Sequence, residues 1–128
     1  MTNQARLRYK DLQGAGVKPS EPQPFMIDVD AQESRRIVRL AGELDMAGAP
    51  ACSEALHAIQ HQDLPEVVID LRGLTFLDAM GLSALLEAHL AGLDGHTPVS
   101  FVRGGPTVHR VFQLTQMEAR LDWMDPPD

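Results

Sequence analysis

The sequence predicts a single α/β domain, a mixed, mainly parallel sheet with helices packed on it, in the order β-β-α-β-α-β-α-β. Three observations carry that reading. Val67, Val68 and Ile69 are consecutive β-branched residues, the pattern of a central strand buried on both faces. Helix-spaced apolar stripes lie between strand-like runs on either side of it, and such alternation calls for parallel, right-handed crossovers. The length of 128 residues suffices for one domain with a substantial core and is too short for two.

The elements follow in order. Residues 1–24 are polar, hold Gly14, Gly16, Pro19, Pro22 and Pro24, and show no sustained period, which is the composition of a flexible tail. The domain is expected over 25–124, with the "DPPD" ending at 125–128 a frayed C-terminus. Residues 25–29 form a first strand, the antiparallel edge, and residues 37–40 a second that Gly42 ends. Cys52, Ala55, Leu56 and Ile59 fall at i, i+3, i+4 and i+7, one helical stripe whose first turn accommodates Pro50. "EVVIDL" is the central strand. The next helix places Leu82, Leu85, Leu86, Leu90 and Leu93 on one apolar side, with Gly92 and Gly95 near its end. "TPVSFV" is a strand; Pro106 opens a helix bearing Val108, Val111 and Phe112; a last short strand is expected at 121–124.

Composition narrows the function. Hydrophobic residues at 44% and charged residues at 23% are ordinary for a globular protein, while aromatics at 5% leave the core to aliphatic side chains. The lone cysteine, Cys52, excludes an internal disulfide and a cysteine-rich zinc site and reads as a small apolar helix residue. The N-terminus lacks the apolar core of a signal peptide, and no stretch approaches the roughly 20 apolar residues of a membrane span. A cytoplasmic location without direct membrane insertion is therefore expected. Arg6, Arg8, Lys10 and Lys18 against Asp11 and Glu21 give residues 1–24 a charge of +2, so the rest carries −9 of the total −7. So acidic a domain has no attraction for a phosphate backbone, and nucleic acid is not an expected partner.

No catalytic constellation emerges. His57 and His61 have the i, i+4 spacing of metal ligands, but "HAIQH" lacks the intervening glutamate base and an evident third ligand, so a solvated helix face is the better reading. His89, His96 and His109 are scattered. Gly104-Gly105 before a helix is far weaker than a phosphate loop, and Asp70, at the end of its strand, suits a turn or cap hydrogen bond. No enzyme activity, cofactor or metal is expected. The loop "LRGLTFLDAMG" remains, leaving the C-terminal end of a central parallel strand, where open α/β sheets bind ligands. Asp78 can cap the following helix, whose N–H groups and dipole would favour a phosphate on a hydroxyl at position 79 or 80. Those positions hold Ala79 and Met80.

"LAGELDMAGAP", "VVIDLRGLTFLDAMGLSALL" and "VHRVFQLTQMEARL" resemble, in order and spacing, the STAS domain of anti-sigma factor antagonists. The resemblance covers about residues 25–124. It implies a STAS-type domain without catalytic activity that binds an anti-sigma factor, often a serine kinase. Typical members carry Asp-Ser-Ser-Gly where this chain has Asp78-Ala79-Met80-Gly81, and phosphate on the first serine releases the partner. The expected partner-binding residues are Glu43, Asp45, Thr75, Asp78, Ala79, Met80 and Gly81. No phosphorylation is expected at Ala79, and Ser83 reads as an ordinary surface or packing residue. The expectation is thus a regulatory module that binds an anti-sigma factor or related kinase-like protein without phosphorylation control at the usual site. Two alternatives stand beside it. One is a STAS subunit of a membrane-associated transporter, such as a lipid-transport ATPase complex; the other is a small-ligand or nucleotide sensor using the same loop.

Overall fold

The computed structural model describes residues 23–128. The flexible-tail expectation for 1–24 therefore lies outside the described residues, apart from Gln23 and Pro24. The elements are β1 (Met26–Ala31), β2 (Arg35–Leu44), α1 (Ala49–Gln60), β3 (Glu66–Leu77), α2 (Ala79–Leu93), β4 (Val99–Val102) and α3 (Pro106–Leu114). A short 3-10 turn, Glu118–Arg120, follows. Four strands form one sheet in the order β1-β2-β3-β4, with β1 antiparallel to β2 and the other pairs parallel. The expected mixed sheet and antiparallel edge are present.

Both crossovers step in the same direction along the sheet, so a common right-handedness brings their helices to one face. The main core lies there. Val38, Leu40, Ile69, Leu71 and Phe101 from the strands meet Leu56 of α1, Leu85 of α2 and Phe112 of α3, all essentially inaccessible. The opposite face carries a smaller cluster of Ile37, Val68 and Val102, with Met124 packed against it. Beside that cluster Asp70 is buried and takes both Arg72 Nε at 3.0 Å and Arg72 Nη2 at 2.7 Å. Its Oδ1 also accepts the Arg72 backbone N–H at 3.0 Å, so this buried charge is fully employed in structure. Arg39 and Asp128 extend the network, Arg72 Nη2 lying 2.9 Å from Asp128 Oδ1.

Four expectations need correction. Gly42 does not end β2. It adopts φ +83° at an irregularity in the β2–β3 register, and the strand continues to Leu44. The segment expected to leave the central strand as a loop after Leu71 stays extended and paired to Leu77, so Asp70 lies within β3 rather than at its end. The final strand is reduced to a single parallel bridge, Phe101 to Trp123. The leucines of α2 do not share one buried side. Leu82 and Leu85 are buried and Leu86 is half-buried, but Leu90 is 54% and Leu93 70% exposed. Small residues, Gly81, Ala84 and Ala88, fill the inner face instead, and on a helix apolar nearly all round the period alone cannot choose between faces.

The C-terminal segment is pinned to β4 through Trp123. Its ring stands edge-on to Phe112 and His109, with centroids 5.1 and 5.0 Å away, and its Nε1 donates to the Glu118 carbonyl at 2.8 Å. His109 Nε2 lies 2.6 Å from Glu118 Oε2. That hydrogen bond holds the Glu118 carboxyl below the usual glutamate range, opposed by partial desolvation and aided by the nearby Arg103. A carboxyl depressed in the folded state stabilises above its unfolded pKa and loses that contribution as pH falls through the folded value. Glu118→Gln should therefore lower the thermal midpoint slightly at pH 7, and the gap from wild type should close on acidification. A gap that widens below pH 5 would overturn this assignment.

Candidate functional site

β2 and β3 end side by side, with Glu43 paired to Phe76 and Leu44 to Leu77. The turns that follow are tied together by one carboxylate. Asp78 has the extended backbone of a helix N-cap, and its Oδ1 accepts the Gly81 N–H at 2.9 Å. Its Oδ2 accepts the Met46 N–H at 3.1 Å, and its own N–H donates to the Leu44 carbonyl at 3.3 Å. Asp45 works within its own turn, Oδ1 taking the N–H groups of Ala47 at 3.0 Å and Gly48 at 3.2 Å. That turn delivers the chain into α1, with Pro50 in the first turn as expected. Asp78 thus caps α2 and holds the 43–48 turn against it.

Asp78→Ala should cost about 1–2 kcal/mol, the usual range for an N-cap loss. Because the same carboxylate serves two turns, hydrogen exchange should accelerate at both the Gly81 and Met46 amides. Acceleration at Gly81 alone would mean the two turns are not coupled through Asp78.

Of the seven residues singled out in the sequence, this geometry joins Glu43, Asp45, Asp78, Ala79, Met80 and Gly81 at the C-terminal rim of the sheet. Thr75 lies on the exposed edge of β3 just before it. Gly81 is buried on the inner face of α2, while Ala79 and Ser83 face outward. Glu43 and Asp45 border an open cavity of about 480 Å³ that also touches Phe25 and Ala51. Two residues escaped the sequence reading. Met46 is 70% exposed and Phe76 44% exposed, as Met80 is at 51%, so three large apolar side chains occur along a rim built from backbone polar groups. The signal for Phe76 was present: strand alternation places it opposite Leu77 once β3 is known to continue.

The histidines lie elsewhere. His61 sits between His57 and His96 with its ring tilted to both, centroids 4.3 and 4.5 Å apart, beside the turns that precede β3 and β4. His61 Nδ1 is already bonded to the His57 carbonyl at 2.7 Å, and no group of three His, Cys, Asp or Glu able to hold a metal occurs among the described residues. Cys52 is fully buried on the inner face of α1, and burial, then Glu87, pushes its thiol up to about 12. No helix of the described residues is long and apolar enough to cross a membrane.

A family model described as Mlab, STAS domain, matches residues 27–122, which span all three helices and, but for Met26, all four strands. The chain belongs to this STAS domain family. A crystal structure of an anti-sigma factor antagonist from Mycobacterium paratuberculosis is 28% identical, with a TM-score of 0.72 over 82% of this chain and 89% of that one. A protein from Thermotoga maritima superposes with a TM-score of 0.68 at 14% identity, covering 79% and 87% of the two chains. The Bacillus cell fate determinant SpoIIAA, in its phosphorylated form, gives 0.58 at 19% identity over 82% and 93%. These last two establish the shared STAS fold alone.

Proposed function

We propose that this STAS domain is a non-catalytic regulatory module whose protein partner docks on the rim formed by residues 43–46 and 76–81. The partner is an anti-sigma factor or related kinase-like protein, engaged in the cytoplasm, and phosphate at positions 79–80 does not control the complex. The observation that carries the reading is chemical. Asp78 and Gly81 build the cap that would present a hydroxyl at the head of α2, yet the exposed residues there are a methyl and a thioether. A flexible apolar side chain at an exposed rim suits contact with a protein surface. The likeness to anti-sigma factor antagonists supports the choice of partner.

The same apolar rim also favours a second reading, a permanent subunit of a membrane-associated transporter ATPase. Lasting interfaces are more hydrophobic than reversible ones. Met46, Phe76 and Met80 are more apolar than a phosphate-gated surface requires. A nucleotide sensor is disfavoured because Glu43 and Asp45 give the adjoining cavity acidic walls.

The test is incubation of the protein with a cognate anti-sigma kinase and ATP, followed by intact-mass measurement. The expected result is a stable complex with residues 78–83 unmodified. Stoichiometric phosphate at Ser83 accompanied by release of the partner would overturn the proposal.

A further inference from the structure

The outer face of α2 continues the candidate site down the length of the helix. Ala79, Ser83, Leu86, Leu90 and Leu93 follow at steps of four, three, four and three residues, which places them in one line on a helix. The line runs about 21 Å at 1.5 Å per residue. All are exposed except the half-buried Leu86. Toward its far end, Leu86, Leu90 and Leu93 with His89 form one wall of an apolar groove of about 360 Å³. Met117 and Arg120, from the segment after α3, form the other wall. Arg120 is exposed and takes part in no ion pair among the described residues, although the chain is strongly acidic.

The shape, size and charge of this surface select its occupant. Apolar side chains at alternating three- and four-residue steps form the seam into which another helix packs its own ridges. The exposed apolar area is on the order of a few hundred Å², short of the roughly 800 Å² per partner of a stable interface. The groove alone therefore does not hold a partner, and whatever fills it is anchored elsewhere too. Ala79, at the head of the seam, belongs to the rim already assigned to the partner. A second copy is the poorer fit, because the groove's own lining offers no carboxylate to pair with Arg120 across a two-fold contact.

We propose that the partner docked at the head of α2 also lays an amphipathic helix along the seam from Ala79 to Leu93. Its apolar side chains fill the groove, and a carboxylate on it meets Arg120. This rests on the reading of the rim as the partner site, and the experiment separates the two. A benzophenone amino acid is placed singly at positions 79, 90, 93 and, as a control on another exposed leucine, 114. Each full-length variant is irradiated in the native cell, and the products are mapped by mass spectrometry. The expected result is one partner protein captured from 79, 90 and 93 but not 114, the products from 90 and 93 mapping to a single acidic amphipathic helix. Capture at 79 without 90 and 93 overturns the helix and leaves the rim standing. Capture at 90 and 93 without 79, or of no protein at all, overturns both. Cross-linking of the chain to itself at 90 or 93 replaces the partner helix with a second copy. With the captured partner purified, Leu90→Gln combined with Leu93→Gln should weaken binding about tenfold or more, and Arg120→Glu by about tenfold. Both should leave the thermal midpoint unchanged; unaltered affinity in both would overturn the proposal.

Discussion

Gly81→Ala is expected to cost about 3 kcal/mol of stability, the upper part of the usual range for overpacking a close contact. A Cβ built at Gly81 would stand 2.4 Å from the Leu44 carbonyl oxygen, 2.8 Å from Leu44 Cγ and 2.9 Å from Leu77 Cδ1. The nearest of these is backbone at the end of β2, which cannot swing aside as the tip of a side chain would. The helix would have to lift, and lifting it stretches the Gly81–Asp78 bond that fixes its first turn. Gly105 supplies the control. It stands at the N-cap of α3, where an added Cβ meets nothing within 4 Å, so Gly105→Ala should stay within about 0.5 kcal/mol of wild type. Urea denaturation of the three proteins measures both values. Equal stabilities would mean that α2 does not rest on β2 as described. The consequence for function is direct, since the glycine sets how closely the head of α2, with Ala79 and Met80, sits against the 43–48 turn.

Much of this fold is legible because local pattern and global arrangement agree. Three consecutive β-branched residues announced the central strand, and Val67, Val68 and Ile69 are all fully buried. The stripe of α1 and its proline start survive, as does the α3 stripe of Val108 and Phe112. The misreadings share one cause, which is that partner strands and helices decide matters local sequence leaves open. "RGLTFL" holds a glycine and alternating polar residues, a fair loop signal, but β2 offers it a parallel ladder and it pairs to Leu77. Gly42 reads as a breaker, whereas its positive φ is used at an irregularity inside the strand. A Cβ at Gly42 would lie only 1.9 Å from the Pro24 carbonyl oxygen, so the chain entering β1 requires the glycine as well. In α2 the leucines outnumber the places on the buried face, and the alanines opposite them decided which face turned inward.

The candidate site was legible as a motif and not as a geometry. Sequence placed Asp78 as a cap, and the cap is there. It could not show that the second carboxylate oxygen fastens the Met46 amide, because that contact spans 32 residues of chain. Nor could it distinguish Asp45 as a turn-former from Asp45 as a free contact residue. Its Oδ1 accepts two amide N–H groups of its own turn. Exposure of Met46 and Phe76 depends on where two strands end together, which only the sheet register supplies.

The central claim is that the head of α2 is a protein-binding surface with no phosphate switch, and Ala79→Asp in the presence of the partner tests it most directly. A carboxylate at 79 carries less charge than a phosphate, about −1.5 to −2 at pH 7, and stands at the same helix terminus. The dipole there favours negative charge, and Ala79 is exposed, so the thermal midpoint should be nearly unchanged. Binding should nonetheless fall at least about tenfold, because an apolar or acidic partner pocket closing over the rim must desolvate or oppose that charge. Met80→Ser, measured alongside, should cost roughly 1–2 kcal/mol of affinity through the lost thioether contact. Titration calorimetry of the wild type and both folded variants gives the answer: loss of affinity in both is the predicted result. Unaltered affinity in both would place the partner on another face and leave Ala79 and Met80 without a role in binding.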